Sequence, residues 1–411
     1  MMNQKTLVRL GAATLIAVVA AFAIDRSRQP VSEFSGQAGR LADDLQSRVN
    51  DVNRVVLSTA NAQTTVTLAR KDGAWSVLER GGYPADVGKL REYLLKLADA
   101  NLIEQKTSNK DRYADLGVTD ISDATAKGVE VRLEGLPAPF AFIAGVFNAQ
   151  GSGTYVRRSD QAQSWLAKGN LVPDKTASGW LRKDLADIPG DRIESVTIMH
   201  ADGQSLSVSR KTAGDARYDV AGVPKGRELS SEFAANGLAS VLADLRIDDV
   251  APMSEVGMPD ARTKARYRTF DGLVVDAGEW QVGDKHYVAF TASLDADTAD
   301  RHIAAEQAAA SAKAAEKVAA TASAKKAPGT EEPVEEPAGK PAVATDPAKD
   351  REHRLLALNS EVESLNAAFK GWSFILPAHK IGNIDKRMED LLKPLEEKVP
   401  AKTGKAGTPG N

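Results

Sequence analysis

Five histidines are the side chains best placed to move protons or bind metal near neutral pH: His200, His286, His302, His353 and His379. No two of them stand at ligand-pair spacing, so the sequence assigns no metal. Ser323-Ala324-Lys325-Lys326 matches the serine–lysine pattern of penicillin-recognising enzymes, in which an amine activates a hydroxyl. It lies in low-complexity sequence with no strand or helix to fix the pair, and chance accounts for it. Gly151-Ser152-Gly153 reads as a hairpin turn. Glu331–Glu336 could gather cations weakly, but a solvated spacer is the better reading. Lys106–Arg112 carries three cations behind a predicted helix and is the best surface for recognition. The simpler reading is a loop closing a helix C-terminus, where cations are favoured. Trp75, Trp180 and Trp372 could line a groove, but strand-borne Trp is more often core. There is no cysteine, which removes thiol catalysis, disulfides and Cys-ligated metal. The reading is therefore a non-enzymatic chain with no catalytic, cofactor-binding or metal residues.

The elements that would position such groups are clearer. Val55, Leu57, Val66 and Leu68 alternate along two runs, the period of a sheet with one buried face. Lys71-Asp72-Gly73 turns the chain into a third strand, Ala74–Leu78. Asp86 is the better N-cap for a helix whose Leu90, Leu94, Leu97 and Ala98 keep helical spacing. Leu116-Gly117 forms a corner. Strands follow at 129–133, 140–145 and 154–157.

This outline returns. Arg70 and Arg210, Gly117 and Gly257, and Asp120 and Asp260 are each 140 residues apart (210 − 70, 257 − 117, 260 − 120). Glu232–Leu245 reads as the second covering helix, with Leu238, Val241, Leu242 and Leu245 as its stripe. A period this long suggests two related domains rather than a solenoid. Ala308–Lys326 fits a solvated helix, and Pro328–Pro347 lacks the apolar surface to fold. Order resumes at Arg354–Phe369, followed by a strand at Gly371–Pro377 and a last helix over Ile384–Leu392.

At 411 residues the chain has room for two or three domains. Its net charge of −3 leaves no global basic field for nucleic acid. Lys5 and Arg9 precede Leu10–Ile24, a charge-free apolar run. It is short for a span of about 20 residues; its basic flank and terminal position argue against a buried soluble helix, and its pattern favours an uncleaved anchor. Ala21-Phe22-Ala23 leaves a cleaved signal peptide as the alternative. Either way the rest of the chain is exported.

The domains read as 1–28, membrane anchor or signal segment; 29–50, linker with a short helix; 51–190, first module; 191–295 with 354–395, second module; 296–353, an Ala/Lys/Glu/Pro-rich insertion; and 396–411, a disordered tail. The predicted fold is α+β: two tandem related modules, each a mainly antiparallel sheet with a covering helix, plus an N-terminal transmembrane helix.

The order of Val49-Asn50-Asp51-Val52, Gly73-Ala74-Trp75, Gly82–Asp86, Glu104–Ser108, Tyr113–Gly117, Gly153–Arg157, Gly371-Trp372 and Leu376-Pro377 resembles the bacterial family of unknown function DUF4340, over about residues 40–395 apart from the insertion. That resemblance implies a single-pass inner-membrane protein with its bulk in the periplasm. It also implies ABC-type transporter permease or auxiliary subunits as partners, of the gliding-motility kind. It brings no activity, no cofactor and no catalytic residue. The expected function is a non-enzymatic accessory or scaffold of an ABC-type transport system. The alternative is an extracytoplasmic ligand- or polymer-binding module using a cleft between modules.

Overall fold

The computed structural model describes residues 39–260, 262–324 and 346–394. The predicted anchor, residues 1–28, and the Pro/Glu half of the insertion lie outside them. Among the described residues no helix is long and apolar enough to cross a membrane. The chain divides into two compact units, Met1–Leu181 and Arg182–Asn411. Both are mixed α/β with antiparallel sheets.

In the first unit a short helix, α1 (Leu45–Arg48), leads into β1 (Arg54–Thr59), β2 (Gln63–Lys71), β3 (Ala74–Val77) and β4 (Tyr83–Pro84). Helix α2 (Val87–Ala98), β5 (Leu102–Gln105) and the single-turn helix α3 (Tyr113–Leu116) follow. Then come β6 (Val129–Glu134), β7 (Phe140–Asn148), β8 (Gly153–Arg158) and β9 (Ser164–Lys168). The strand order is β4-β3-β2-β1-β6-β7-β8-β9-β5. The alternation read from sequence is the burial pattern: Val55, Leu57, Val66 and Leu68 are buried and share one face through the pairs Val55↔Leu68 and Leu57↔Val66. Asp72 and Gly73 both take positive φ (51° and 82°), the geometry of a tight hairpin whose twist suits the strands. Asp86 caps α2 by accepting the Lys89 N–H at 2.9 Å. The helix buries Leu90, Tyr93, Leu94 and Leu97.

The second unit runs β10 (Asp184–Ala186), β11 (Ile193–Met199), β12 (Ser205–Ser209), β13 (Asp219–Val220), α4 (Asn236–Ala239), β14 (Leu245–Arg246), β15 (Asp249–Pro252) and α5 (Met253–Val256). It continues with β16 (Thr263–Thr269), β17 (Leu273–Val282), β18 (Lys285–Leu294), α6 (Ala296–Ala324), α7 (Pro347–Phe369), β19 (Trp372–Ile375) and α8 (Ala378–Ile384). Its main sheet has the order β13-β12-β11-β16-β17-β18-β19-β15, and β10 pairs with β14.

Three local expectations are corrected here. The helix predicted over Glu232–Leu245 is only the single turn α4, and Leu245 lies on β14. Leu238, Val241, Leu242 and Leu245 are all buried, so the stripe is real while the helix is not. Gly237 weakens helix formation there. The Lys380 ammonium donates to the Ser240 and Ala243 carbonyls at 2.9 and 2.6 Å, supplying partners outside a helix. The last helix lies earlier than Ile384–Leu392. It is α8, beginning directly after Pro377, with a 3₁₀ turn at Met388–Leu391 behind it. Finally, α7 starts at Pro347 rather than Arg354, because the Asp346 carboxylate accepts the Ala348 and Lys349 N–H groups and Pro fits the first turn. The Ala-rich stretch is helical as α6, and its first turns bury Ala299 and Ile303.

Candidate functional site: an open groove on the second sheet

The residues considered for chemistry are placed as follows. His200 is buried, with Nε2 3.2 Å from the Lys386 carbonyl and Nδ1 3.2 Å from the Asp385 carboxylate. Thr263 donates its hydroxyl to Asp385 at 2.7 Å. The same hydroxyl lies 3.4 Å from His200 Nδ1, a longer contact than the one to the carboxylate that takes its proton. His286 meets the buried Glu279 at 2.7 Å, and His302 lies 3.4 Å from Glu306 one helical turn on. Among the described residues no three His, Cys, Asp or Glu side chains gather as a metal site. Ser323 lies on α6, and Lys326 and Glu331–Glu336 lie outside the described residues. Ser152 stands in the β7–β8 turn.

The Lys106–Arg112 loop is tied down by its own unit. Lys106 pairs with Glu104 at 2.7 Å, Thr107 and Ser164 exchange hydrogen bonds, and Asn109 caps the 3₁₀ turn Lys110–Arg112. Trp180 is buried, 5.6 Å edge-on from Tyr93, with its indole N–H on the Asp174 carbonyl. Trp75 stacks under Arg70 in the first unit, and Trp372 sits on β19 of the second.

A different place stands out: a groove of about 1050 Å³ on the second unit's sheet. The alternation of β16 builds it. Ala265 and Tyr267 face the core, so Lys264, Arg266 and Arg268 all project from the other face. Opposite Lys264 the sheet carries Gly278 and then Ala289, through the pairs Lys264↔Gly278 and Gly278↔Ala289. A Cβ placed on Gly278 would meet nothing within 4 Å, so this is the open floor. Met199, Met253 and Met258 contribute to the walls, with Met199 53% and Met258 56% exposed. At the other side, Asn366 of α7 holds both backbone groups of Ala292, and the Met253 N–H donates to the Gly371 carbonyl at 2.9 Å.

Charge in the groove is one-sided. Four cations line it, Lys264, Arg266, Arg268 and Lys370, against the single carboxylate of Asp276. Asp276 is engaged in a bidentate pair with Arg266 at 2.7 and 3.0 Å. That hydrogen bond and charge hold the Arg266 guanidinium above its ordinary pKa. Arg268 lies 3.4 Å from Asp295. Among the described residues Lys264 and Lys370 have no ion-pair partner. The lining offers no paired nucleophile and base, so the arrangement suits binding.

Residues 75–268 match the family model described as a domain of unknown function, DUF4340. No curated protein and no solved structure matches the chain. The DUF4340 match begins at Trp75 on β3 and ends at Arg268 on β16, so it takes in both corners, at Gly117 and Gly257. The groove floor on β17 and β18 follows it. Sequence reading missed the groove because glycine, alanine and methionine carry no chemical motif. The one signal was the run Lys264, Arg266, Arg268 at strand period.

Proposed function

We propose that this chain is a non-enzymatic binding protein of the bacterial envelope, tethered to the inner membrane through residues 1–28 and serving an ABC-type transport system as an accessory or scaffold. The observation that carries the reading is the groove, a large, mostly apolar concavity with a cationic rim and no reactive pair of side chains. The tether is supported by the charge-free run Leu10–Ile24 behind Lys5 and Arg9. The transport link is what the resemblance to DUF4340 implies; the match over residues 75–268 carries the resemblance, and the matched family is itself of unknown function.

The two units are tandem copies in this reading, and several independent details support it. Arg70 donates to the Asn50 carbonyl at 2.8 Å, and Arg210 to the Gly190 carbonyl, 140 residues on, at 2.8 Å. Helices α3 and α5 end on Gly117 and Gly257, with φ of 68° and 71°. Ala85 bridges Leu181 in the first unit, and Leu229 bridges Leu392 in the second. Strand β1 has β2 and β6 beside it, as β11 has β12 and β16, and the ladder continues through β7-β8-β9 and β17-β18-β19 to end on β5 and β15.

The test is affinity purification of the full chain from detergent-solubilised membranes, with mass spectrometry of what accompanies it. The expected result is membrane-fraction protein that retains its N-terminus and brings permease or auxiliary subunits of an ABC-type transporter. A soluble product beginning at Ile24 without such subunits would instead favour the free extracytoplasmic binding module, for which the groove would serve equally.

A further inference from the structure

The first unit carries, at the same register, what the second leaves open. Its ladder Ser58↔Glu130↔Ile143↔Arg157 crosses β1-β6-β7-β8, as Met199↔Lys264↔Gly278↔Ala289 crosses β11-β16-β17-β18. The tandem reading thus sets Gly278 where the first unit has Ile143, and Ala289 where it has Arg157. In the first unit the corner after α3 drops onto this place. Val118 and Ile121 pack on Ile143, and Asp120 pairs with Arg157. Two glycines permit the approach: a Cβ on Gly145 would lie 2.2 Å from the Leu116 carbonyl oxygen, and one on Gly128 would lie 2.3 Å from that of Gly117.

The second unit reverses this arrangement. Two residues beyond Gly278, where the first unit has Gly145, stands Trp280, fully buried and stacked 6.1 Å from Tyr287. Met253 and Val256 of α5 pack against that pair. The indole props the corner away from the sheet. Met258, the counterpart of the fully buried Val118, is left 56% exposed. The place that holds aliphatic groups and a carboxylate in one unit is vacated in the other, and its rim is cationic.

We propose that the groove binds a single-chain anionic amphiphile, its acyl chain over Gly278 and Ala289 and its carboxylate or phosphate head at Lys264 and Lys370. The proposal deepens, and rests on, the reading of the groove as a binding site. Methionine walls adapt to a flexible chain. A groove on a sheet face offers no backbone ladder to an extended peptide, which favours a hydrocarbon occupant. With Arg266 and Arg268 paired to Asp276 and Asp295, Lys264 and Lys370 are the cations left to an anionic head.

The experiment is photolabelling of the full chain in non-ionic detergent with a diazirine-bearing fatty acid, mapped by mass spectrometry. Label is expected on peptides containing Met253, Met258 and Ala289. Gly278→Phe, which fills open space, should cut labelling roughly tenfold, and the double exchange Lys264→Glu with Lys370→Glu by a similar factor. Unchanged melting temperatures would separate these losses from misfolding. Competition by a lysophospholipid but not by inorganic phosphate would place the phosphate-headed lipid in the groove, whereas competition by neither would restrict it to the carboxylate. Equal labelling by the neutral alcohol analogue, full competition by inorganic phosphate, or label unchanged in Gly278→Phe would overturn the proposal. Label outside the groove while transporter subunits still co-purify overturns the ligand class alone; loss of both also removes the proposed function.

Discussion

The Arg157 guanidinium is almost wholly buried, and its N–H groups are consumed locally. It donates to the Val118 carbonyl at 3.0 Å, to the Gln161 carbonyl at 3.1 Å and to the Asp120 carboxylate, and it lies 4.7 Å from the Tyr113 ring centroid. The residue pins the corner after α3 to β8. Replacing it with Met keeps much of the bulk but leaves two carbonyls without their donor. Because Asp120 is half exposed, the cost falls below that of breaking a fully buried pair, and about 2–4 kcal/mol is expected. Urea denaturation of the full chain reads it, and an unchanged midpoint would contradict the role. The sequence marked Gly117 and Asp120 through their spacing, whereas Arg157 read only as a strand residue. A buried cation is recognised by partners distant in sequence, here 37 and 39 residues away, and a local pattern does not contain them.

At the scale of elements, burial was more legible than conformation. Leu94 and Leu97 on α2 are 4% and 0% exposed, and Leu242 and Leu245 are both 0%. Their apolar spacing announced all four. Helix α2 has a capping Asp and an uninterrupted run, so spacing and local propensity agree. In 232–245 the same spacing is carried by a turn, one helical turn and a bend through Asp244 at φ 42°. There Lys380, from α8, supplies the carbonyl partners, and that tertiary contact outweighed the pattern. Conversely, the Asp346-Pro347 start of α7 was written in the sequence as a cap and an N1 proline, and composition bias around it masked the signal. Leu97→Ala and Leu245→Ala should each cost about 2–5 kcal/mol through lost burial and an unfilled cavity. Lys96→Ala should stay within about 0.5 kcal/mol, since its ion pair with Glu92 is exposed. Denaturation midpoints for the three variants decide this, and equal midpoints would remove the common core logic of the two units.

Across the whole molecule, the antiparallel sheets were readable because β alternation and turn glycines reinforce one another. The groove was not, because its parts are scattered along the chain. It needs Gly278 and Ala289 on neighbouring strands, Trp280 under the corner, and α7 arriving from beyond the insertion. No short window of sequence holds all of these. If the groove holds a lipid, native mass spectrometry of the full chain released gently from membranes will show it. The expected spectrum for the unmodified chain shows a bound species of lipid mass, removed by collisional activation, while Gly278→Phe flies bare at the same charge states. A bare unmodified chain, or the same adduct on both proteins, would show that the groove does not hold it.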